Sequence, residues 1–192
     1  MTDRRKTLLL GSASERRRNI LAGLLPGFDV ASPDVEEVLI EDDPAACAGR
    51  NAVSKHGWCR IRYPAHHIIT ADTVISFEGR CIGKPATLDQ AAAFLRLFSG
   101  RKHDVLTGLA LSAPEEAQPH LLVVRSGVIF KPLSDQDISA YFSRVNPLDK
   151  AGAYDIDQST ELILAGYEGS YTNIMGLPKE TVTLWLKSEG LI

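Results

Sequence analysis

One run of residues does most to limit what this chain can fold into. Residues 66–77 read His-His-Ile-Ile-Thr-Ala-Asp-Thr-Val-Ile-Ser-Phe. β-branched and aromatic residues crowd it, turn formers flank it, and it is the strongest strand signal in the sequence. Glu78-Gly79 suits a hairpin turn back into Cys81-Ile82. A strand this apolar is a buried one, and its one acid, Asp72, therefore stands out. An ionised carboxylate in such a run is costly unless it meets a partner or a metal ion.

Helical patterns alternate with strands on both sides of this run. The chain opens as strand, turn and helix: an apolar stretch at 7–10, Gly-Ser-Ala-Ser, then a helix over 15–25 closed by Pro26-Gly27. A short strand is expected at 28–31. Asp43 followed by Pro44 starts a helix running to about Arg62, with Ala45, Ala48, Ala52 and Val53 on its packed side. Thr87-x-x-Gln90 is a capping box for a helix at 88–98. Strands follow at 105–112 and 121–130, joined by a polar loop. Ser134 caps a helix at 135–143, a strand is expected at 162–167, and a last helix at 178–188. The alternation argues for an α/β fold, a mixed sheet flanked by helices, with residues 1–192 as one domain.

Composition removes several functions. A net charge of −3 gives no general basic field for a long nucleic acid, so any anion site is a local pocket. Cys47, Cys59 and Cys81 are odd in number and lack zinc-site spacing, so they read as free thiols. No stretch approaches the ~20 apolar residues of a membrane helix, and the charged segment 1–6 with the short apolar run behind it is no signal peptide. A cytoplasmic, non-membrane protein is expected.

Several segments carry residues suited to chemistry. Ser12-Ala13-Ser14-Glu15-Arg16-Arg17-Arg18 puts small residues and then arginines at a helix N-terminus, where cations are disfavoured unless a polyanion binds. A solvated basic face is the plainer alternative. Asp72 is a metal ligand, a general base, or an acid satisfied by its neighbours. Lys84, between Gly83 and Pro85, has a well-fixed stem, and Lys55 lies on the second helix; each alone is an ordinary lysine. Asp34-Val35-Glu36-Glu37 could hold a hard cation with phosphates, or be a solvated loop. His66 and His67 point to opposite strand faces and would not share a metal. Residues 149–158 and 166–178 are glycine-bearing and irregular, as binding loops often are.

Five of these segments, in this order, resemble the Maf-like nucleotide pyrophosphatases. They are Ser12-Ala13-Ser14-Glu15-Arg16-Arg17; Asp34-Val35-Glu36-Glu37; Ala71-Asp72-Thr73-Val74 with Gly83-Lys84-Pro85; Asp149 to Ile156, of the form Asp-Lys-Ala-Gly-x-Tyr-x-Ile; and Gly169 to Pro178. The likeness spans residues 7–186. It implies an elongated α/β fold like that of the inosine triphosphatases, two lobes about a cleft, and often a homodimer. It also implies cleavage of nucleoside triphosphates to monophosphate and pyrophosphate with a divalent cation, magnesium or manganese.

By motif position, the resemblance makes Asp72 the general base, and Glu37 an aid to water or metal. Ser12, Arg16, Arg17, Lys55 and Lys84 hold phosphates, and Arg16 and Thr73 take part in base choice. The expected substrates are dTTP, UTP or related, including modified, nucleotides. The alternatives are 7-methyl-GTP or another noncanonical nucleotide, and a nucleotide-binding regulator of septum formation with little catalysis. Two departures bear on this. Glu15 stands where the family has proline, and Asp157 stands where the dTTP/UTP branch has glutamine, with Gln158 one residue later.

Overall fold

The computed structural model describes residues 7–116 and 118–192; the charged segment 1–6 and Ala117 in the polar loop lie outside the described residues. The elements run β1 (Leu8–Gly11), α1 (Glu15–Ala22), β2 (Asp29–Ala31), α2 (Pro44–Arg62), β3 (His67–Phe77), β4 (Arg80–Ile82), α3 (Leu88–Phe98), β5 (Lys102–Ser112), β6 (His120–Phe130), α4 (Asp135–Phe142), β7 (Leu164–Glu168), α5 (Tyr171–Ile174) and α6 (Lys179–Ser188). Two 3₁₀ turns, Ala151–Ala153 and Thr160–Leu162, lie between α4 and β7.

The strands form one mixed sheet in the order β2-β1-β3-β5-β6-β7, with β4 paired to β3. β1 runs parallel to β2 and β3, and the remaining pairs are antiparallel. β3, β5 and β6 each have 11 residues, a span of roughly 36 Å at strand rise. The long central strand is shared between neighbours. One edge of β3 pairs with β1 over His67 to Thr70 and with β4 over Ile75 to Phe77. Between them, residues 71–74 have no partner strand on that edge, although β5 pairs with them on the other. The sheet forks there, and Asp72 and Thr73 sit in the fork.

Two apolar cores lie on either side of the fork. Leu10, Ile69, Ala71, Leu109, Leu177 and Leu186 belong to one. Ile75, Phe98, Val105, Phe130, Tyr154 and Ile174 belong to the other. Each core supports a lobe of the molecule, and β3 and β5 run through both.

Local signals fixed most helix starts. Asp43 accepts from Ala46 N at 2.9 Å, and Ser134 and Asp137 form a reciprocal capping box. At α3, Thr87 caps Gln90 N, but the Gln90 amide reaches back to Ala86 N at 2.6 Å rather than to Thr87, so only half of the expected box exists. α1 stops at Ala22, short of residue 25. Gly23 ends it, and Leu24 and Leu25 turn back into the core beside Leu21. On α2 the packed side differs from the expected one. Ala48 and Ala52 are buried as anticipated, Ala45 is exposed and Val53 only half-buried, and the rest of the buried face is Cys47, Gly49, Asn51, Lys55, His56 and Cys59. A buried polar face of this kind is stable only where it meets partners.

α2 lies close against the sheet because Gly108 on β5 has no side chain. A Cβ there would sit 2.4 Å from the carbonyl oxygen of Ala48. This contact sets the distance from the α2 face to the fork in β3.

Candidate active site

Asn51 and Lys55 are one helical turn apart, so they share a face of α2. Both meet Asp72. Lys55 Nζ donates to Asp72 Oδ1 at 2.7 Å, and Asn51 Nδ2 donates to Asp72 Oδ2 at 3.0 Å. Asp72 is only 7% exposed; its charge is tolerated because both oxygens are held by donors, one of them cationic.

The same two residues hold the irregular segment that carries Glu37. Lys55 Nζ is 2.6 Å from Glu37 Oε1. Asn51 Oδ1 accepts from Val38 N at 2.9 Å, and Asn51 Nδ2 donates to Val38 O at 3.0 Å. Burial alone would raise the Glu37 carboxyl, but the Lys55 bond and charge, with the charges of Lys84 and Arg17, hold it below the usual carboxylate range. Asp34 and Glu36 of the same acidic cluster point to solvent and line no part of the cleft.

Arg17 ties three segments together. Its Nε donates to Gly176 O at 2.8 Å, and its two terminal nitrogens donate to Ser12 Oγ at 3.2 Å and Thr73 Oγ1 at 2.9 Å. The order continues inward from Thr73 Oγ1 to Thr107 Oγ1 at 3.0 Å, and from there to Asn173 O at 3.1 Å. All of these acceptors are uncharged. Among the described residues Arg17 makes no ion pair, so its charge remains open to an anion. Burial lowers the guanidinium pKa, and the charges of Asp72 and Glu37 oppose that shift. Ser12 is buried and lines neither part of the cleft. Its oxygen serves Arg17 and Ser14 N, a supporting position rather than the phosphate contact expected of it.

Arg16, by contrast, is neutralised. Its NH1 lies 2.8 Å from Oδ1 of Asp155, a side chain only 5% exposed. Lys150 Nζ approaches Asp155 from the other side at 3.5 Å. Asp155 N in turn donates to the Tyr141 hydroxyl oxygen at 2.8 Å, and Asp155 Oδ1 accepts from Asp157 N at 3.0 Å. The Tyr171 hydroxyl bonds Asp157 Oδ1 at 2.8 Å and Ile156 O at 2.9 Å. Gly152 anchors this loop to the lysine loop through a bond from its N to Gly83 O at 3.0 Å. The position requires glycine: φ is +66°, and a Cβ would lie 2.5 Å from Ile75 Cδ1.

These residues surround a cleft with two adjoining chambers. The larger, about 670 Å³, is lined by Arg16, Arg17, Tyr154, Asp155, Asp157 and Gln158, among others. The smaller, about 350 Å³, is lined by Glu37, Asn51, Asp72, Val74 and Cys81, among others. Thr73, Lys84 and Ala151 line both. Cationic groups and acids thus share the cleft, and Tyr154, Ile156 and Ile174 give the larger chamber aromatic and apolar wall beside its polar groups. The volumes suit a nucleotide-sized ligand.

Nearly all the residues singled out in the sequence converge here: Glu37, Asp72, Thr73 and Lys84, Arg16 and Arg17, Asp157 and Gln158 on the cleft, with Lys55 directly behind Asp72 and Glu37. His66 and His67 do diverge, to Asp29 and Glu189 respectively. Asn51, Asp155 and Tyr171 went unnoticed as individual site residues. Asn51 had a usable signal: it stands four residues before Lys55, one turn away on the same helix face. Asp155 and Tyr171 had none, because their partners lie 139 and 14 positions away.

The fit to a divalent cation can be judged from the donors. Among the described residues no group of three or more His, Cys, Asp or Glu side chains gathers to hold a metal. Glu37 and Asp72 supply two hard carboxylates aimed at one point, where the Lys55 ammonium now sits. Magnesium is commonly held by one or two carboxylates and completed by water and substrate phosphates, and this pair fits that pattern.

Comparison with known proteins agrees with the geometry. A family described as Maf-like protein matches residues 7–189. A protein of Myxococcus xanthus (strain DK1622) named dTTP/UTP pyrophosphatase is 42% identical over 186 residues, covering 96% of this chain and 93% of that one. One of the same name from Symbiobacterium thermophilum is 39% identical over 185 residues, covering 95% and 94%. The structure of the Staphylococcus aureus Ham1 protein has a TM-score of 0.53 at 15% identity, covering 96% of this chain and 100% of that one, which is a likeness of fold.

Proposed function

The chain belongs to the Maf-like family, and on that premise we propose that it is a nucleoside triphosphate pyrophosphatase, cutting the α–β phosphoanhydride to give a monophosphate and pyrophosphate. The observation that carries this reading is that Asp72, Glu37, Lys84 and Arg17, from four separate segments, line one nucleotide-sized cleft, with Lys55 from a fifth bridging the two acids from behind.

The chemistry follows from what each group can do. Water attacks the α-phosphorus, a new P–O bond forms, and the bond to the bridging oxygen breaks with pyrophosphate leaving. Asp72, held by Lys55 and Asn51, takes the proton from water. Arg17 and Lys84 offset the charge that builds on the phosphate oxygens, and Lys55, between the two acids, is within reach of the same groups. A magnesium or manganese ion held by Glu37 and Asp72 would add charge neutralisation and acidify a bound water. Tyr154, Ile156 and Ile174 offer a flat apolar wall for a base, and Arg16, Thr73, Asp157 and Gln158 offer polar groups to read its edge. The relatives' names point to dTTP and UTP, and related or modified pyrimidine nucleotides belong to the same proposal. A cytoplasmic, single-domain enzyme acting as a homodimer completes it; no helix among the described residues is long and apolar enough to cross a membrane.

The test is a panel of canonical and modified triphosphates assayed for pyrophosphate release with magnesium, with manganese and with excess chelator. The expected result is pyrophosphate and monophosphate from pyrimidine triphosphates, dependent on the cation and lost in Asp72→Asn with the fold retained. An unimpaired Asp72→Asn would remove Asp72 from the mechanism, and nucleotide binding without product would reject the enzymatic reading.

A further inference from the structure

Asn51 is an unusual residue to find where it is. It is 4% exposed, on a buried helix face that also carries Ala48, Ala52, Lys55 and His56. Burying a side-chain amide is unfavourable unless its donors and acceptor are satisfied, and apart from a long contact from Nδ2 to Cys47 Sγ at 4.0 Å, its bonds lead to Asp72 and to the backbone next to Glu37. One N–H goes to Asp72 Oδ2 at 3.0 Å. The other N–H and the carbonyl form a two-way bridge to the backbone of Val38, at 3.0 and 2.9 Å. Val38 is the residue next to Glu37. Residues 32–40 belong to no helix or strand, so the backbone carrying Glu37 has no ladder of its own to fix it.

We infer that Asn51 is a positioning residue that sets the orientation of Asp72 and the distance from Asp72 to Glu37. Lys55 alone cannot do this. A single ammonium on a flexible stem attracts both acids but fixes neither carboxylate plane nor the backbone behind Glu37. The amide adds direction at Asp72 and tethers the peptide at Val38, so the two acids face one point with a fixed separation. Asn51 touches neither the larger chamber nor the cationic side chains there, so its contribution falls on the reacting centre and not on nucleotide affinity.

This inference rests on the pyrophosphatase reading, and the experiment separates the two. Pyrophosphate release by the parent chain is measured first; its absence rejects the reading itself. With the parent active, Asn51→Leu, close in volume and without polar atoms, is expected to lower kcat at least 10-fold while KM changes less than 3-fold. In a Glu37→Gln background with measurable residual turnover, the same substitution is expected to cost less than in the parent, because both changes act on one pair of acids. Equal losses in both backgrounds, a loss confined to KM, or an unchanged kcat would overturn the assignment. If circular dichroism shows Asn51→Leu to be unfolded, Asn51→Ser, smaller and still polar, is judged by the same criteria.

Discussion

Lys55 Nζ lies 2.7 Å from Asp72 Oδ1, and the two side chains are about equally buried, at 11% and 10% exposure. With Glu37 at 2.6 Å on the other side, one ammonium holds together two carboxylates that would otherwise repel. Replacing Lys55 by methionine is expected to reduce turnover roughly 100-fold or more and to destabilise the fold by about 3 kcal/mol, the cost of leaving a buried charge without its partner. Thermal melts and steady-state assays would check both. The variant's melting temperature should respond to added magnesium more strongly than the parent's, because a cation can replace the missing charge.

Asp155 holds Arg16 in the wall of the larger chamber. Asp155→Asn keeps the shape and removes the charge. Asp155 is buried and also faces Lys150, so the expected stability cost is about 1–3 kcal/mol, moderated because Arg16 is half-exposed and can return to water. Arg16 is then free to turn toward phosphates or solvent. The ratio of kcat/KM values between keto and amino pyrimidine triphosphates should narrow by about 10-fold. A variant that discriminates as the parent does would mean that the Arg16–Asp155 pair has no part in base choice.

Gly108 sets the approach of α2 to the sheet. Alanine there would push its Cβ against the Ala48 backbone carbonyl, which cannot move aside as a side-chain tip can. The expected cost is about 1–3 kcal/mol. Because α2 carries both Asn51 and Lys55, turnover should fall by more than the loss of folded protein explains. Comparing kcat per folded molecule, from melts and active-site titration, checks this.

Acid should weaken the protein through its buried histidines. Burial pushes His103 down to about 4 from its ordinary 6.5, with Asp104 opposing only in part. His56 is pushed down to about 4 by burial and by Arg60, against Glu116. An unfolded chain binds these protons first as pH falls. Their contribution is therefore complete above about pH 6.5, is lost between 6.5 and 4, and levels off below that; for His103 alone it is on the order of 3 kcal/mol. His103 Nε2 bonds the Tyr154 hydroxyl at 2.8 Å, and Tyr154 lines the cleft, so loosening should begin at the base end. Urea unfolding between pH 7 and 4 should show the slope, and His103→Gln should flatten it.

Much of the fold was legible because local chemistry and global packing agree. The run at 66–77 has one stable use, as a buried strand, and β3 forms within one residue of it. Caps at Asp43, Thr87 and Ser134 marked helix starts, since a side-chain oxygen three residues from an orphan N–H acts locally. The four-residue helix α5 was missed because its stability comes from outside it: the Asn173 side chain bonds Val105 O and Ser126 Oγ, far away in sequence. The end of α1 was misjudged because Leu24 and Leu25 follow the core rather than the helix.

By itself, then, the sequence determined the alternation of elements, the buried Asp72 and the ordered motifs that mark the family, all of which depend on residue type and short-range spacing. Only the tertiary structure decided which cations are free. Arg16 and Arg17 are adjacent in sequence and alike in chemistry, yet Asp155 neutralises one while neutral oxygens hold the other ready for an anion. It also brought Asn51, which no motif marks, against Asp72 and the backbone beside Glu37. Charge pairing and burial depend on distances through space, and the fork in the sheet and the close approach at Gly108 fix those distances.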